Sequence, residues 1–403
     1  MDGQTTNSTK PTNGPRASFV DFVKFVVPSG GVRIFHTSDT HLGHAQYPRT
    51  DATGLNQREA DIYATWHAVI DLAVAEHPDL FIHAGDLFDG VRPSNRALAH
   101  ALDGFLKLSR AGIPVVAIAG NHEHPRMRET GSAFRLFEHL DGVHVAYRGQ
   151  RETLRIETKA GQVRVHAVPQ CADNETLAKE ALAAPTGDDA IDVLVLHGSV
   201  PSLPAFAHAE FNELTLDTSW FTPHDYVALG HHHGAQQVAP NAWYCGAPDR
   251  VSIAESGQEK GFLDVRLAAG TPPQVTFRAL PTRVYVDLPA IDARGLGADA
   301  VRAAAAEAVR RLPAGSVARL KLQHLGSDLR GGLDLRAIQQ AAGHLSHLDL
   351  RLDWADVERP VRGGADVGPL GDEFLDFAGT QPMEGLDRAR LVAKARELLE
   401  AAP

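Results

Sequence analysis

Only two of the 403 residues are cysteine, Cys171 and Cys245, and neither lies in a pair with metal-ligand spacing. A disulfide framework is thereby excluded, and a reducing, cytoplasmic compartment is the expectation. Both cysteines read as small buried apolar residues. Long hydrophobic runs are scarce as well. The stretch Phe19 to Val27 ahead of Pro28 is too short to cross a bilayer and carries Asp21 and Lys24. It lacks the charged start and cleavage pattern of a signal peptide, so no membrane association is expected. A basic surplus is also missing. Lys and Arg number 39 against 50 Asp and Glu, a net charge of −11, which argues against a broad electrostatic grip on nucleic acid. No internal repeat is visible.

A chain of 403 residues is longer than one core, which rarely grows past about 250–300 residues. Residues 1–30 read as a polar extension, disordered or docking a partner. From residue 31 to about 280, strand-like runs alternate with helical stretches, the pattern of sheets covered by helices. Gln57 to Glu76 is a helix with Ile62, Trp66, Val69, Ile70 and Ala73 on one stripe, ended by His77-Pro78. A second helix, capped by Ser94, runs through Leu98, Leu102, Phe105 and Leu108 to Gly112. After His233 the pattern turns β-like. A second unit at 281–361 shows strands at Val284–Leu288, Val317–Leu322 and Leu348–Trp354, with helices at Ala298–Leu312 and Leu335–Ala342. Residues 362–403 hold a glycine-rich linker to Pro369, then two short amphipathic pieces, Glu373–Phe377 and Leu386–Ala401. The last presents Leu391, Ala395 and Leu398 on one face.

Chemistry is concentrated in short polar motifs, each directly after a β-type apolar run. Asp39-Thr40-His41 follows Val32-Arg33-Ile34-Phe35, and Gly85-Asp86 follows Leu80-Phe81-Ile82. Gly120-Asn121-His122-Glu123 follows Val115 to Ile118, His197-Gly198 follows Val193 to Leu196, and Gly230-His231-His232-His233 follows Tyr226 to Leu229. Singly, each is commonplace: Gly-Asp is ordinarily a turn, and a histidine after a strand ordinarily a satisfied polar residue. As an ordered set they point to one site, because open α/β sheets place their sites beyond the carboxyl ends of strands. Imidazole, carboxylate and one amide oxygen, with no thiolate, suit manganese or iron better than a structural zinc. Two cations about 3.5–4 Å apart, bridged by one Asp, would clamp a phosphate, activate a water in line with the scissile bond and stabilise the leaving oxygen.

With these motifs in view, the chain resembles the calcineurin-type metallophosphoesterases, and within them the SbcD nucleases. Those are the bacterial and archaeal relatives of the meiotic-recombination-eleven nuclease of double-strand-break repair. The narrower resemblance rests on His36-Thr37-Ser38-Asp39-Thr40-His41-Leu42-Gly43, on Ala84-Gly85-Asp86-Leu87-Phe88-Asp89, and on Tyr244-Cys245-Gly246-Ala247-Pro248 followed by Lys260-Gly261-Phe262. It covers roughly Val32 to Val357. It implies an α/β fold, a sandwich of two β-sheets flanked by helices, with a small α/β capping domain and C-terminal helices that dock a partner.

The resemblance also implies roles. Asp39, His41, Asp86 and His233 would hold one divalent cation, and Asp86, Asn121, His197 and His231 the other, Asp86 bridging. Mn2+ is the first expectation, with Mg2+ or Fe2+ as alternatives. His122 would be the catalytic residue that is not a ligand, orienting the phosphate and protonating the leaving oxygen. His232 should point away if the histidine segment is extended with period two. Asp89, Arg92 and Arg126 are candidate substrate contacts, among basic residues that also include Arg96, Lys107, Arg110, Arg128 and Arg135; solvated helix faces explain such residues equally well. Departures from the pattern are Asp89 where some members carry a second phosphate-contacting histidine, Ala247 where serine is usual, Glu123 for aspartate, and an extra His124. The implied activity is a DNA exonuclease and endonuclease acting on DNA ends. It would work as a homodimer beside an SbcC-like SMC-type ATPase or another DNA-translocating ATPase. The competing expectations are a small-molecule phosphodiesterase or phosphatase with the same metals, which needs no capping domain, and an inactive scaffold, against which the complete ligand set argues.

Overall fold

A computed structural model of the chain describes residues 31–124, 131–182, 190–201, 213–355 and 392–394. The N-terminal extension, Arg126 and Arg128, the glycine-rich linker and all but 392–394 of the expected C-terminal helices lie outside them. The chain divides into two compact units on either side of the Tyr285–Val286 bond.

The first unit holds two six-stranded sheets. The strands β1 (Val32–Thr37), β2 (Leu80–His83), β3 (Val115–Ile118) and β4 (Val143–Ala146) run parallel. Then come β5 (Glu152–Thr158), β6 (Gly161–Ala167), β7 (Ile191–His197), β8 (Tyr226–Gly230), β9 (Gln236–Ala239) and β10 (Ala242–Tyr244), which build the second sheet in the order β5-β6-β7-β8-β10-β9. The chain returns through β11 (Gly261–Leu267) and β12 (Gln274–Ala279) to finish the first sheet as β12-β11-β1-β2-β3-β4. In the second sheet the central strands are parallel and an antiparallel pair forms each edge, whereas in the first sheet only the β12-β11-β1 side is antiparallel and β4 ends the sheet parallel to β3. The helices α1 (Gln57–Glu76) and α2 (Asn95–Arg110) cross over in the first sheet, and α3 (Asn174–Ala181) in the second.

The alternation of side chains along each strand assigns them to layers. Val32, Ile34, Leu80, Ile82, Val116 and Ile118 meet Val163, Val165, Val193, Val195, Tyr226 and Ala228 in a core between the sheets. On the opposite faces Phe35, Phe81 and Ala117 lie under α1 and α2, while Leu194, Leu196, Val227 and Leu229 lie with Leu177 and Ala181 of α3. Every central strand is therefore buried on both sides, which is why its sequence reads as an unbroken apolar run. On α2 the buried face is Ala97, Ala101, Gly104, Phe105 and Leu108, while Leu102 is 37% exposed. The expected leucine stripe is displaced because Trp66 of α1 fills the space there: a Cβ on Gly104 would lie 2.6 Å from its ring.

The second unit carries a four-stranded sheet from β13 (Tyr285–Asp287), β14 (Ile291–Asp292), β15 (Val317–Leu325) and β16 (His347–Trp354). The helices α4 (Ala298–Arg310) and α5 (Leu335–Ala341) close its own core of Val301, Val309, Leu320, Leu322 and Ile338. Among the described residues no helix is long and apolar enough to cross a membrane.

A charged knot anchors the start of β1, the strand that leads to Asp39. Arg33 lies 2.5 Å from both Glu76, the last residue of α1, and Asp264 of β11, and Arg278 of β12 lies 2.7 Å from Glu76. Hydrogen bonding by Arg278, followed by that of Arg33, holds the Glu76 carboxyl down to about 2 against the cost of burial. A depressed carboxylate contributes stability above its unfolded pKa and loses it as the pH falls through the folded one. Glu76→Gln should therefore cost up to about 1 kcal/mol at neutral pH. In urea titrations the difference from the parent chain should vanish as the pH falls from about 4.5 to about 2.

Candidate metal centre

The motifs converge at the carboxyl ends of β1, β2, β3, β7 and β8. Three donor groups form there, each with its atoms within 4.8 Å of one another: Asp39, His41 and His233; His41, Asp86 and His122; and Asp86, His197 and His231. Asn121 joins the last, its Oδ1 lying 2.9 Å from His197 Nε2 and 3.2 Å from His231 Nδ1. Asp86 Oδ2 stands between the groups, 3.3 Å from His197 Nε2, 3.9 Å from His41 Nε2 and 4.0 Å from His122 Nε2.

The loops that hold these side chains are strained and cross-tied. Asp39, His41, Asp86 and His231 have φ of 51°, 50°, 54° and 100°, in the left-handed region that costs a non-glycine residue of order 1–3 kcal/mol. A main-chain ladder fixes the first two loops: Asp39 N donates to Gly85 O at 2.9 Å, His41 N to Asp86 O at 3.1 Å and Leu42 N to Leu87 O at 2.8 Å. Glu123, buried, ties in the third loop by accepting from Phe88 N at 2.6 Å and Gly120 N at 2.8 Å. Burial, then the Asp86 charge, pushes the Glu123 carboxyl up to about 8. The Glu123 carboxyl group thus joins the second and third loops. A further tie is His231 N, which donates to Asp39 Oδ1 at 2.9 Å.

Each histidine of the donor groups turns one nitrogen inward and has an acceptor behind the other. His197 Nδ1 donates to Ala84 O at 2.8 Å, and Asp89 lies 3.3 Å behind His41 Nδ1. Glu213 lies 3.5 Å behind His231 Nε2, and Glu255 lies 3.1 Å behind His233 Nδ1. Proton placement that satisfies the rear acceptors leaves lone pairs facing inward, such as His41 Nε2 and His233 Nε2 at 3.2 Å from each other. Ligands about 2.1 Å from one cation at near-right angles are separated by about this much. The donor set therefore fits divalent cations. Burial opposes the charge of His197, but Asp86 raises its pKa to about 9, and against the cost of its own burial His197 in turn holds the Asp86 carboxyl well below the carboxylate range. Beneath them burial keeps His36 and His83 at about 3, so the floor of the site is neutral.

The other expected residues fall in varied places. His122 projects from the third loop, its Nδ1 donating to Asp89 O at 3.0 Å and its side chain 31% exposed. Asp89 has its carboxylate between His41 and His44, 3.1 Å from His44 Nδ1, and its side chain is 37% exposed. Arg92 is exposed on the loop before α2. Arg96 and Lys107 form ion pairs with Glu59 and Asp71 on the helix faces. His232 lies outside the donor groups, 5.5 Å from the Tyr244 ring. Period-two alternation is not the cause, since β8 ends at Gly230 and His231 is not extended. Cys245 departs from the simple apolar reading: its Sγ is 2.9 Å from Ser38 Oγ, which donates to Asp39 Oδ2. Glu213 and Glu255 lie in none of the motifs and come to the site only through the fold, whereas Ser38 and Lys260 lie within the motifs of the resemblance, which implies no role for them there.

Gly120 marks how closely the loops approach. A Cβ there would stand 2.2 Å from Asp86 Oδ1 and 2.8 Å from His197 Nε2. Gly120→Ala should therefore cost about 1–3 kcal/mol of stability and displace Asp86. Metal analysis of the folded variant should find less manganese per chain than in the parent. Full manganese content would show that the donor groups do not depend on this approach.

A sequence profile described as calcineurin-like phosphoesterase matches residues 32–243, just over half of the chain. The DNA double-strand break repair protein Mre11 of Sulfolobus acidocaldarius is 30% identical over 51% of this chain and 50% of its own. The protein of that name from Sulfurisphaera tokodaii is 32% identical over 50% and 49%, and that from Haloferax volcanii 32% over 63% and 53%. The chain thus spans about half the length of the curated relatives it matches. A solved calcineurin-like phosphoesterase, YfkN from Bacillus subtilis, aligns at 15% identity with a TM-score of 0.33 over 62% of this chain and 91% of that one. That score adds nothing to the fold read from the strands themselves. Phosphoesterases of this kind use divalent metals, and the donor groups around Asp86 are where this chain could hold them. The chain belongs to the calcineurin-like phosphoesterase family.

Proposed function

We propose that the chain is a two-metal DNA phosphodiesterase, exonuclease and endonuclease at DNA ends, working as the nuclease subunit of an SbcCD-like complex. The observation that carries this reading is the position of Asp86 Oδ2 between His41 and His197. On this reading Asp39, His41, Asp86 and His233 hold one cation, and Asp86, Asn121, His197 and His231 the other. The thiolate-free donor set favours Mn2+, with Mg2+ or Fe2+ as alternatives. When bound, the pair supplies Lewis acidity toward the phosphate and an activated water.

The chain's own part is positioning and proton transfer. The Nδ1 bond from His122 to Asp89 O fixes the ring and leaves Nε2 as the atom that faces the reacting phosphate. In its protonated form His122 gives that proton to the leaving oxygen. Main-chain ties hold Asp39 and Asp86 so that little reorganisation accompanies the reaction. DNA as the substrate class is supported by the relatives' name and by the second α/β unit, which a small substrate does not need. A net charge of −11 leaves the grip on DNA to the cations, to a second copy of the chain and to a DNA-translocating ATPase of SMC type. The natural compartment is the cytoplasm.

The purified chain with manganese should degrade linear DNA, and chelator should stop it. Hydrolysis of small phosphodiesters with no cleavage of any DNA, even with the ATPase present, would redirect the reading to a small-molecule enzyme. His122→Ala should keep both cations and lose about 10²–10⁴ in rate, whereas Asp86→Ala should lose the metals. Equal metal loss in the two variants would make His122 a ligand instead.

A further inference from the structure

One buried ion pair beside the donor groups includes Glu255, the acceptor behind His233, but neither of its members is a proposed ligand or the proposed proton donor. Glu255 ends the short helical turn Ile253–Glu255, and Lys260 directly precedes β11; they are 6% and 2% exposed. Lys260 Nζ lies 2.5 Å from Glu255 Oε2 and donates to His233 O at 2.7 Å and Gln258 Oε1 at 3.0 Å. Two protons of the ammonium group are thus placed in hydrogen bonds, and Glu255 Oε2 stands at ion-pair distance. Glu255 Oε1 lies 3.1 Å from His233 Nδ1. His233 is therefore gripped twice, at its ring by the carboxylate and at its carbonyl by the ammonium.

Stability alone does not account for such a pair. Taking two charges out of water costs several kcal/mol each, and an apolar pair of similar volume is often neutral or better. The pair does have one consequence that an apolar pair cannot supply. An ionised carboxylate only accepts, so His233 must carry its proton on Nδ1, the reverse of the preference of a free histidine side chain. The lone pair then sits on Nε2, which faces His41 Nε2 at 3.2 Å within the group completed by Asp39. The Lys260 bond to His233 O fixes the main chain from which the ring projects.

We propose that Glu255 and Lys260 are positioning residues that set the tautomer and aim of His233. Through it they set the affinity of the Asp39–His41–His233 group for its divalent cation. The inference rests on the two-cation reading given above. Carboxylates behind metal-ligating histidines typically account for about 10–100-fold in metal affinity.

The test compares the full-length chain with Glu255→Leu/Lys260→Met, which removes both charges together, and with Glu255→Gln. In metal-free protein labelled with ¹⁵N-histidine, the parent should show His233 protonated on Nδ1, and both variants a shift toward the Nε2 form. Manganese titration followed by the resonance of the free ion should show two bound ions in the parent. In the double variant one should weaken about 10–100-fold while the other holds and thermal stability is unchanged or higher. A purely structural pair would give the opposite split, with lower stability and unchanged metal affinity. Unchanged tautomer and unchanged affinities in a folded variant overturn the inference alone. A parent chain that binds no manganese overturns the two-cation reading, and this inference with it.

Discussion

Around Asp86 the fold brings imidazole, amide and carboxylate donor atoms to within a few ångströms of one another. His41 and His233 face nitrogen to nitrogen, and Asn121 Oδ1 sits against two imidazoles, with carboxylates on either side. They stay because their rear atoms are committed to Ala84 O, Asp89, Glu213 and Glu255, and because the strands that deliver them are buried on both faces. A cation held by these side chains would find its ligands already aimed, and that is the physical content of a preorganised metal site.

The sandwich meets this demand at a measurable local cost. Four left-handed residues, each costing of order 1–3 kcal/mol, lie in the loops of one site. They are held by main-chain bonds between neighbouring loops and not by side-chain packing alone. Parallel neighbours make this possible: β1 and β2 end side by side, so their loops leave in register and continue the ladder past the sheet. Glu123 extends the same device to the loop after β3.

The two sheets contribute unequally. Asp39, His41, Asp86, Asn121 and His122 come from the first sheet, and His197, His231 and His233 from the second. The proposed bridging carboxylate is thus on one sheet and most of the imidazoles on the other. Relative displacement of the sheets would open the site, and the interlocked valines and isoleucines between them resist it at close to crystalline density.

Much of this was legible in the sequence for a local reason. A doubly buried strand is a short unbroken apolar run, and a polar motif directly after it has one place to go. The five motif-bearing strands, α1 with its stripe and the Ser94 cap of α2 follow from neighbours within a few residues. The less apolar strands β4, β5 and β6 and the short helix α3 carry no such signal, and Leu102 lies outside the expected face because a distant tryptophan decided the packing. What only the tertiary structure decided is the layer behind the donors. Cys245 beneath Ser38, Asp89 behind His41, Glu213 behind His231, and the Glu255–Lys260 pair around His233 join positions separated by much of the chain or by unremarkable loops. A linear pattern records periodicity and motif, but the direction of a ring nitrogen is fixed by an acceptor that arrives from elsewhere in the fold.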